Sequence, residues 1–231
     1  MKRELCASDK LKIERELLSQ GFKTIAGVDE VGRGPLAGPV VCAAVVMPLK
    51  EIEIIQGVDD SKKLSPKKRE LLAKLIRERA LAYTVYEVND DFNLNEDKVK
   101  RLSEIIDEIN ILQATRLGMK NALESLKIVP DTVITDGNMT LDISFPQRSI
   151  VHGDALSYSI GAASIVAKVF RDALMEEYAQ PYPAYGFERN KGYGTAEHIR
   201  AIKEHGICPI HRRTFVKKFW AGGEKNSPKS T

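Results

Sequence analysis

Residues 24–47 read TIAGVDEVGRGPLAGPVVCAAVVM, and the placing of charge and glycine in this stretch decides how the chain must fold. Thr24 to Val28 has the length and apolar content of a short buried strand, and Val40 to Met47, bounded by Pro39 and Pro48, is a second. The two are expected to pair as a hairpin. Asp29 and Glu30 then arrive where the first strand meets an irregular turn, and two ionised carboxylates side by side there call for a cation. Gly32, Gly34 and Gly38 let the backbone take positive φ or approach a ligand closely, and Arg33 between them offers a planar guanidinium suited to phosphate. Acid, base and bare backbone together suggest phosphodiester chemistry; a hairpin turn with solvated charges is the alternative. The glycine spacing misses G-x-G-x-x-G by one and no G-K-[ST] follows, so neither nucleotide motif is present.

Outward from this stretch, the same pattern recurs. Residues 9–20 read as a short amphipathic lead-in helix, with Leu11, Glu14 and Leu18 too mixed in spacing to say more. Ser65 as an N-cap and Pro66 at the first helical position start a helix to about residue 80, and residues 81–89 have the β-branched and aromatic content of a third strand. A long amphipathic helix, or two stacked ones, is expected over 96–126. Thr132 to Thr135 then delivers Asp136 into a turn, and Ser149 to Val151 leads to His152, Gly153 and Asp154 ahead of a helix beginning at Ser157. Thr195 caps a last helix through His205. The reading is an α/β protein in which Asp29, Glu30, Asp136 and Asp154 each follow a short strand. If those strands share a sheet, four carboxylates meet at one edge, and hard divalent cations such as Mg²⁺ or Mn²⁺ relieve their repulsion. Consecutive strand residues face opposite ways, so Asp29 and Glu30 can share a site only if the strand ends or bulges there.

Length and composition set the bounds. A chain of 231 residues, 43% hydrophobic and 29% charged, accommodates one well-buried domain with an appendage or two small ones. No run of about 18 apolar residues occurs, and Met1, Lys2 and Arg3 lead into Glu4 and Asp9, so no membrane association and a cytoplasmic location are expected. Three cysteines without paired spacing argue against a disulfide framework. Cys208 and His211 have C-x-x-H spacing but no second ligand pair, so zinc is rejected in favour of a buried cysteine and a surface histidine. The net charge of +3 is uneven: from Gly206 onward six Lys or Arg face Glu224 alone. Lys62, Lys63, Lys67, Lys68 and Arg69 also cluster at a helix start, where the dipole already attracts anions. Both features suit a nucleic acid, and solvated surface is the alternative for each.

Taken together, these residues make the chain resemble bacterial ribonuclease HII, of the ribonuclease H-like superfamily, over about residues 22–215. The resemblance rests on GVDEVGRGPLAGPV at 27–40, DSKKLS at 60–65, TDGN at 135–138, GDALS at 153–157, ASIVAKVFRD at 163–172, KGYGT at 191–195 and CPIHRRTF at 208–215. It implies a mixed five-stranded sheet flanked by helices: a lead-in over 1–22, a catalytic domain over 23–194 and a small C-terminal helical lobe with a basic tail over 195–231. The implied activity is metal-dependent cleavage of the RNA strand of RNA/DNA hybrids, and incision of DNA duplexes 5′ to embedded ribonucleotides, leaving 5′-phosphate and 3′-hydroxyl ends. Asp29, Glu30, Asp136 and Asp154 match the family's ligands for two metal ions, and Gly32, Arg33, Gly34 and Tyr193 its ribonucleotide-sensing elements. Lys62, Lys63, Arg212 and Arg213 are the expected phosphate contacts, and a monomer is expected. A non-catalytic hybrid-binding module would explain the basic loops but not four acids facing a polyanion. Another metal nuclease of the superfamily, such as a junction resolvase, would share the acids without needing KGYGT.

Overall fold

The valine-rich run after Pro39 carries no charge and is buried along its whole length, a composition suited to a strand covered on both faces. In the computed structural model, which describes residues 9–88 and 104–220, it is one of five strands. These are Ile25–Val31 (β1), Val40–Val46 (β2), Ala82–Val88 (β3), Thr132–Asp136 (β4) and Gln147–Ile150 (β5). Their order is β3-β2-β1-β4-β5; β2 runs antiparallel to β1 and β3, while β4 is parallel to both β1 and β5. The sheet is therefore mixed, and every expected strand is in it.

The chain divides into two units. The first comprises residues up to Arg33, Val40–Val88 and Leu112–Arg171, and contains the sheet. Its helices begin with Lys12–Ser19 (α1), preceded by a 3₁₀ turn at Asp9–Leu11, and Pro66–Arg79 (α2), where the Ser65 hydroxyl accepts the Lys68 N–H as the sequence suggests. Glu104–Glu124 (α3) is broken at Asn110, whose φ of 65° is left-handed; the expected start of this helix at 96 lies outside the described residues. Gly153–Leu156 (α4) is a single turn, followed by Tyr158–Ala179 (α5). Strand alternation sorts β2 between two faces. Val41, Ala43 and Val45 join a core with Leu72 and Ile76 of α2 and Ala162 and Val166 of α5. Cys42 faces the other way, toward Gly118 of α3, where a Cβ would lie 2.8 Å from its sulfur and 2.4 Å from Val88.

The second unit takes in Gly34–Pro39, residues 104–111 and residues from Asp172. A loop from the glycine-rich turn thus groups with the C-terminal segment. Phe187–Asn190 (α6), Ala196–His205 (α7, capped by Thr195) and Arg213–Val216 (α8) complete its helices. Leu36, Met175, Tyr185, Phe187, Ile202 and Ile210 form its core. The loop is held by backbone pairing: Leu36 N–H donates to the Gly192 carbonyl at 2.8 Å, Gly38 N–H to Ile210 at 2.9 Å and Arg212 N–H to Leu36 at 2.9 Å. His211, expected at the surface, is instead buried against the Tyr185 and Phe187 rings, with its Nε2 3.0 Å from that of His198. Burial and the neighbouring His198 push its imidazole down to about 3, so it stays neutral and accepts the Cys208 N–H at Nδ1, at 2.9 Å. Among the described residues no helix is long and apolar enough to cross a membrane.

Gly27 shows what the fold demands of its central strand. A Cβ there would stand 2.3 Å from the Ser159 carbonyl carbon in the first turn of α5, so backbone meets backbone at the crossing. Gly27→Ala should therefore lower unfolding stability by about 3 kcal/mol in a denaturant titration. Gly34→Ala, whose nearest neighbour would be 3.9 Å away, should stay within about 1 kcal/mol of the parent.

Candidate active site

The acidic residues gather where the β1–β4 ladder ends. Their last pair is Val28 with Thr135, so Asp29, Glu30 and Asp136 stand just beyond it, with Asp136 opposite Ile150 of β5. On its other side β1 pairs with β2 without interruption, Asp29 with Ala43, Glu30 with Cys42 and Val31 with Val41. The strand therefore neither ends nor bulges at the two acids, contrary to the condition set from the sequence. Asp29 points to the α2 and α5 face, and Glu30 to the α3 face. They nonetheless act on one another across the open end of the ladder. The Asp136 Oδ1 accepts the Gly153 N–H at 2.6 Å, which ties β4 to the turn carrying Asp154. Asp154 Oδ2 in turn lies 3.4 Å from Lys62 Nζ.

Electrostatics marks this cluster out. Burial, then the charges of Glu30 and Asp136, hold the Asp29 carboxyl well above the usual carboxylate range. Burial also raises Glu30, against the opposing pull of Arg33, whose Nη1 is 3.3 Å from Oε1. Asp154 is raised by burial, then by Asp136 and Asp60, with Lys62 acting against them. Lys62 itself is lowered by partial burial, but Asp154, Asp60 and Asp29 outweigh this and keep its ammonium above its ordinary value. Among the described residues the Glu30 Oε2 is buried with no hydrogen-bond partner. An all-oxygen donor set, mutual repulsion and an orphaned carboxylate oxygen fit a hard divalent cation. No three His, Cys, Asp or Glu among the described residues converge on one point. The donors thus suit an ion held by one or two carboxylates with water and phosphate in the other positions, the habit of Mg²⁺, better than a closed protein cage.

The other expected residues separate into groups. Gly32 takes φ 94°, a conformation that favours glycine, and aims the chain past the exposed Arg33. Lys62 and Lys63 are exposed, as phosphate contacts must be. In the second unit Gly34 sits below the Tyr193 ring, its Cβ direction meeting Cε1 at 3.9 Å, and Tyr193 is 42% exposed. The Tyr193 carbonyl accepts from the Thr195 N–H at 2.8 Å and from His198 Nδ1 at 2.9 Å, so the loop is held by its backbone and the ring is presented outward. Arg213 has an exposed side chain, while its N–H and that of Thr214 are capped by Asp107 at 2.8 and 2.9 Å. Arg212 is the correction. It is fully buried, donating from Nε and Nη2 to the Gly38 carbonyl at 3.0 and 2.6 Å and from Nη1 to Pro35 at 2.9 Å. Its planar fork matches carbonyls that a phosphate would have to displace, so it fastens the Gly34–Pro39 loop and is no phosphate ligand.

Sequence reasoning missed Asp59, Asp60 and Ser164, and the buried Lys10 and Glu14 of the lead-in. The Asp60 side chain caps the 3₁₀ turn Ser61–Lys63 by accepting the Lys62 N–H, and Ser164 bonds the Ser61 hydroxyl at 3.0 Å while lowering Asp29. The visible signal was an acid, Glu14, between Leu11 and Leu17 on the buried side of α1.

Known proteins share this architecture. The family model described as Ribonuclease HII matches residues 26–222. A ribonuclease HII of Caldicellulosiruptor bescii is 52% identical over 206 residues, 89% of this chain and 93% of the relative. That of Endomicrobium trichonymphae is 52% identical over 209 residues, 90% and 92% of the two chains. The crystal structure of ribonuclease H2 from Pyrococcus horikoshii superposes with a TM-score of 0.68 at 30% identity, covering 88% of this chain and all of that one. With the motifs, the sheet order and these matches in agreement, the chain belongs to the ribonuclease HII family and is a ribonuclease H of type 2.

Proposed function

We propose that this enzyme hydrolyses the RNA strand of RNA/DNA hybrids and incises DNA duplexes on the 5′ side of embedded ribonucleotides, leaving 5′-phosphate and 3′-hydroxyl ends. The observation that carries the reading is the acidic cluster, in which Asp29, Glu30, Asp136 and Asp154 come from three places in the chain to repel one another at one sheet end. These four would hold divalent cations, Mg²⁺ or Mn²⁺ and two during turnover. Bound there, the ions would lower the pKa of the attacking water and stabilise the leaving 3′-oxygen. The protein supplies the rest. Asp136 is oriented by the Gly153 N–H, Asp154 is poised against Lys62, and Arg33 steadies Glu30 while remaining exposed to a phosphate.

Lys62, Lys63 and Arg213 would neutralise backbone phosphates, a term without sequence information. Recognition of a lone ribonucleotide needs a group close to one 2′-hydroxyl. Gly32, Arg33 and Gly34 offer a backbone with little side-chain cover, and Tyr193 an outward ring to stack on the sugar.

Three measurements test this reading. Asp136→Asn keeps the volume and removes the charge, so it should unfold like the parent while cleaving at least a hundredfold more slowly, about the loss expected when a transition-state charge partner is removed. Near-parent cleavage in Mg²⁺ would dismiss the metal assignment. Replacing both Lys62 and Lys63 by Ala should flatten the slope of log affinity against log salt by about two; an unchanged slope returns the loop to solvated surface. Tyr193→Ala, which leaves the backbone anchors of the loop in place, should lose more rate on a duplex with one ribonucleotide than on a continuous hybrid. Equal losses on the two substrates would remove Tyr193 from the sensor.

A further inference from the structure

Two buried charges in the lead-in face the two loops that bring Lys62 and Asp154 together. Lys10 is 4% exposed, and its ammonium donates to Asp59 Oδ1 at 2.6 Å. The same Asp59 oxygen accepts the Asp60 N–H at 2.7 Å, and Asp60 Oδ1 accepts the Lys62 N–H at 2.9 Å. Four residues on from Lys10, the fully buried Glu14 accepts from the Ser157 hydroxyl at 2.6 Å and from the Ser159 N–H at 2.9 Å, both through Oε1. Ser157 Oγ accepts the Ile160 N–H at 3.2 Å, and the Ser157 N–H donates to Gly153 at 2.8 Å, which fixes the turn that holds Asp154. The circuit closes where Lys62 Nζ meets Asp154 Oδ2 at 3.4 Å. All of these residues belong to the first unit.

Burying an ammonium and a carboxylate is costly, and an apolar pair of similar size would stabilise a mere packing contact at least as well. Glu14 Oε2 even lacks a hydrogen-bond partner among the described residues, so stability alone does not account for the choice. We propose that Lys10 and Glu14 are positioning residues of the cleavage site: spaced one helical turn apart, they clasp the Asp59–Lys63 loop and the Gly153–Ser157 turn and set the separation of Lys62 from Asp154. The inference rests on the role proposed above for Asp154.

The test uses the full chain and four variants. Lys10→Met keeps the apolar stem and removes the ammonium; Asp59→Asn takes the anionic partner from that buried ammonium, on the more exposed side of the pair; Glu14→Gln keeps an oxygen that its neutral donors, the Ser157 hydroxyl and the Ser159 N–H, can still use; Asp154→Asn is the control. Thermal unfolding, Mn²⁺ binding by calorimetry without substrate, and kcat and KM on a duplex with one ribonucleotide are measured for each. Lys10→Met and Asp59→Asn should unfold cooperatively, bind Mn²⁺ several-fold more weakly and lose about tenfold in kcat, the effect of one charge-assisted hydrogen bond, with KM little changed. Glu14→Gln should retain most of the parent's kcat. A folded Lys10→Met or Asp59→Asn with parental Mn²⁺ binding and kcat overturns the clasp, as does a kcat loss that merely follows the folded fraction. Should Lys10→Met fail to fold, Asp59→Asn decides alone. Parental activity in Asp154→Asn would instead overturn the site reading on which the clasp rests.

Discussion

Carboxylates that repel one another can be kept together only by a scaffold that does not yield, and the rest of this structure follows from that constraint. Asp29 is 4% exposed and raised by burial and by the charges of Glu30 and Asp136, so the folded state bears an electrostatic cost that a solvated turn would not. The sheet register withstands it. β1 is paired to β2 on one side through Val31, and its parallel ladder with β4 ends at Val28. Asp29 and Glu30 are thus rooted in hydrogen-bonded backbone on the β2 side and stand beyond the end of the ladder on the β4 side.

Close backbone approach brings the fourth acid to the other three. Gly27 lets the first turn of α5 lie on β1, Gly153 clears Ile160, where a Cβ would fall within 2.7 Å, and Gly161 passes the Asp154 carbonyl, where a Cβ would come to 3.0 Å. A side chain at any of these positions would push α5 and its preceding turn off the sheet and carry Asp154 away from Asp136. Small residues at a helix–sheet contact thus set where Asp154 stands relative to Asp136.

Cations in this protein have two employments that depth separates. Lys62, Lys63 and Arg213 are exposed to solvent. Lys10 and Arg212 are buried and satisfied by protein oxygens, one on Asp59 and the other on the Pro35 and Gly38 carbonyls. Arg212 and Arg213 are neighbours in sequence, yet one fastens a loop and the other faces solvent. The buried His198 and His211 pair belongs with the fastening groups, since its anchored nitrogens hold the Tyr193 carbonyl and the Cys208 N–H.

The five strands and the Ser65 and Thr195 caps could be read from the sequence, because each depends on residues within a few positions of one another; the first strand, expected to end at Val28, runs on through Asp29 and Glu30 to Val31. The glycine-rich turn was legible for the same reason: Gly32 needs its positive φ whatever surrounds it. Strand order, the opposite facing of Asp29 and Glu30 within an unbroken strand, and the grouping of Gly34–Pro39 with the C-terminal segment were not. Nor were the partners of Lys10, Glu14, His211 and Arg212, which lie on segments distant in the chain. Local pattern determined where strands, caps and turns fall; whether a given charge faces water or protein was decided only by tertiary burial, because a side chain's solvation is a property of everything packed around it.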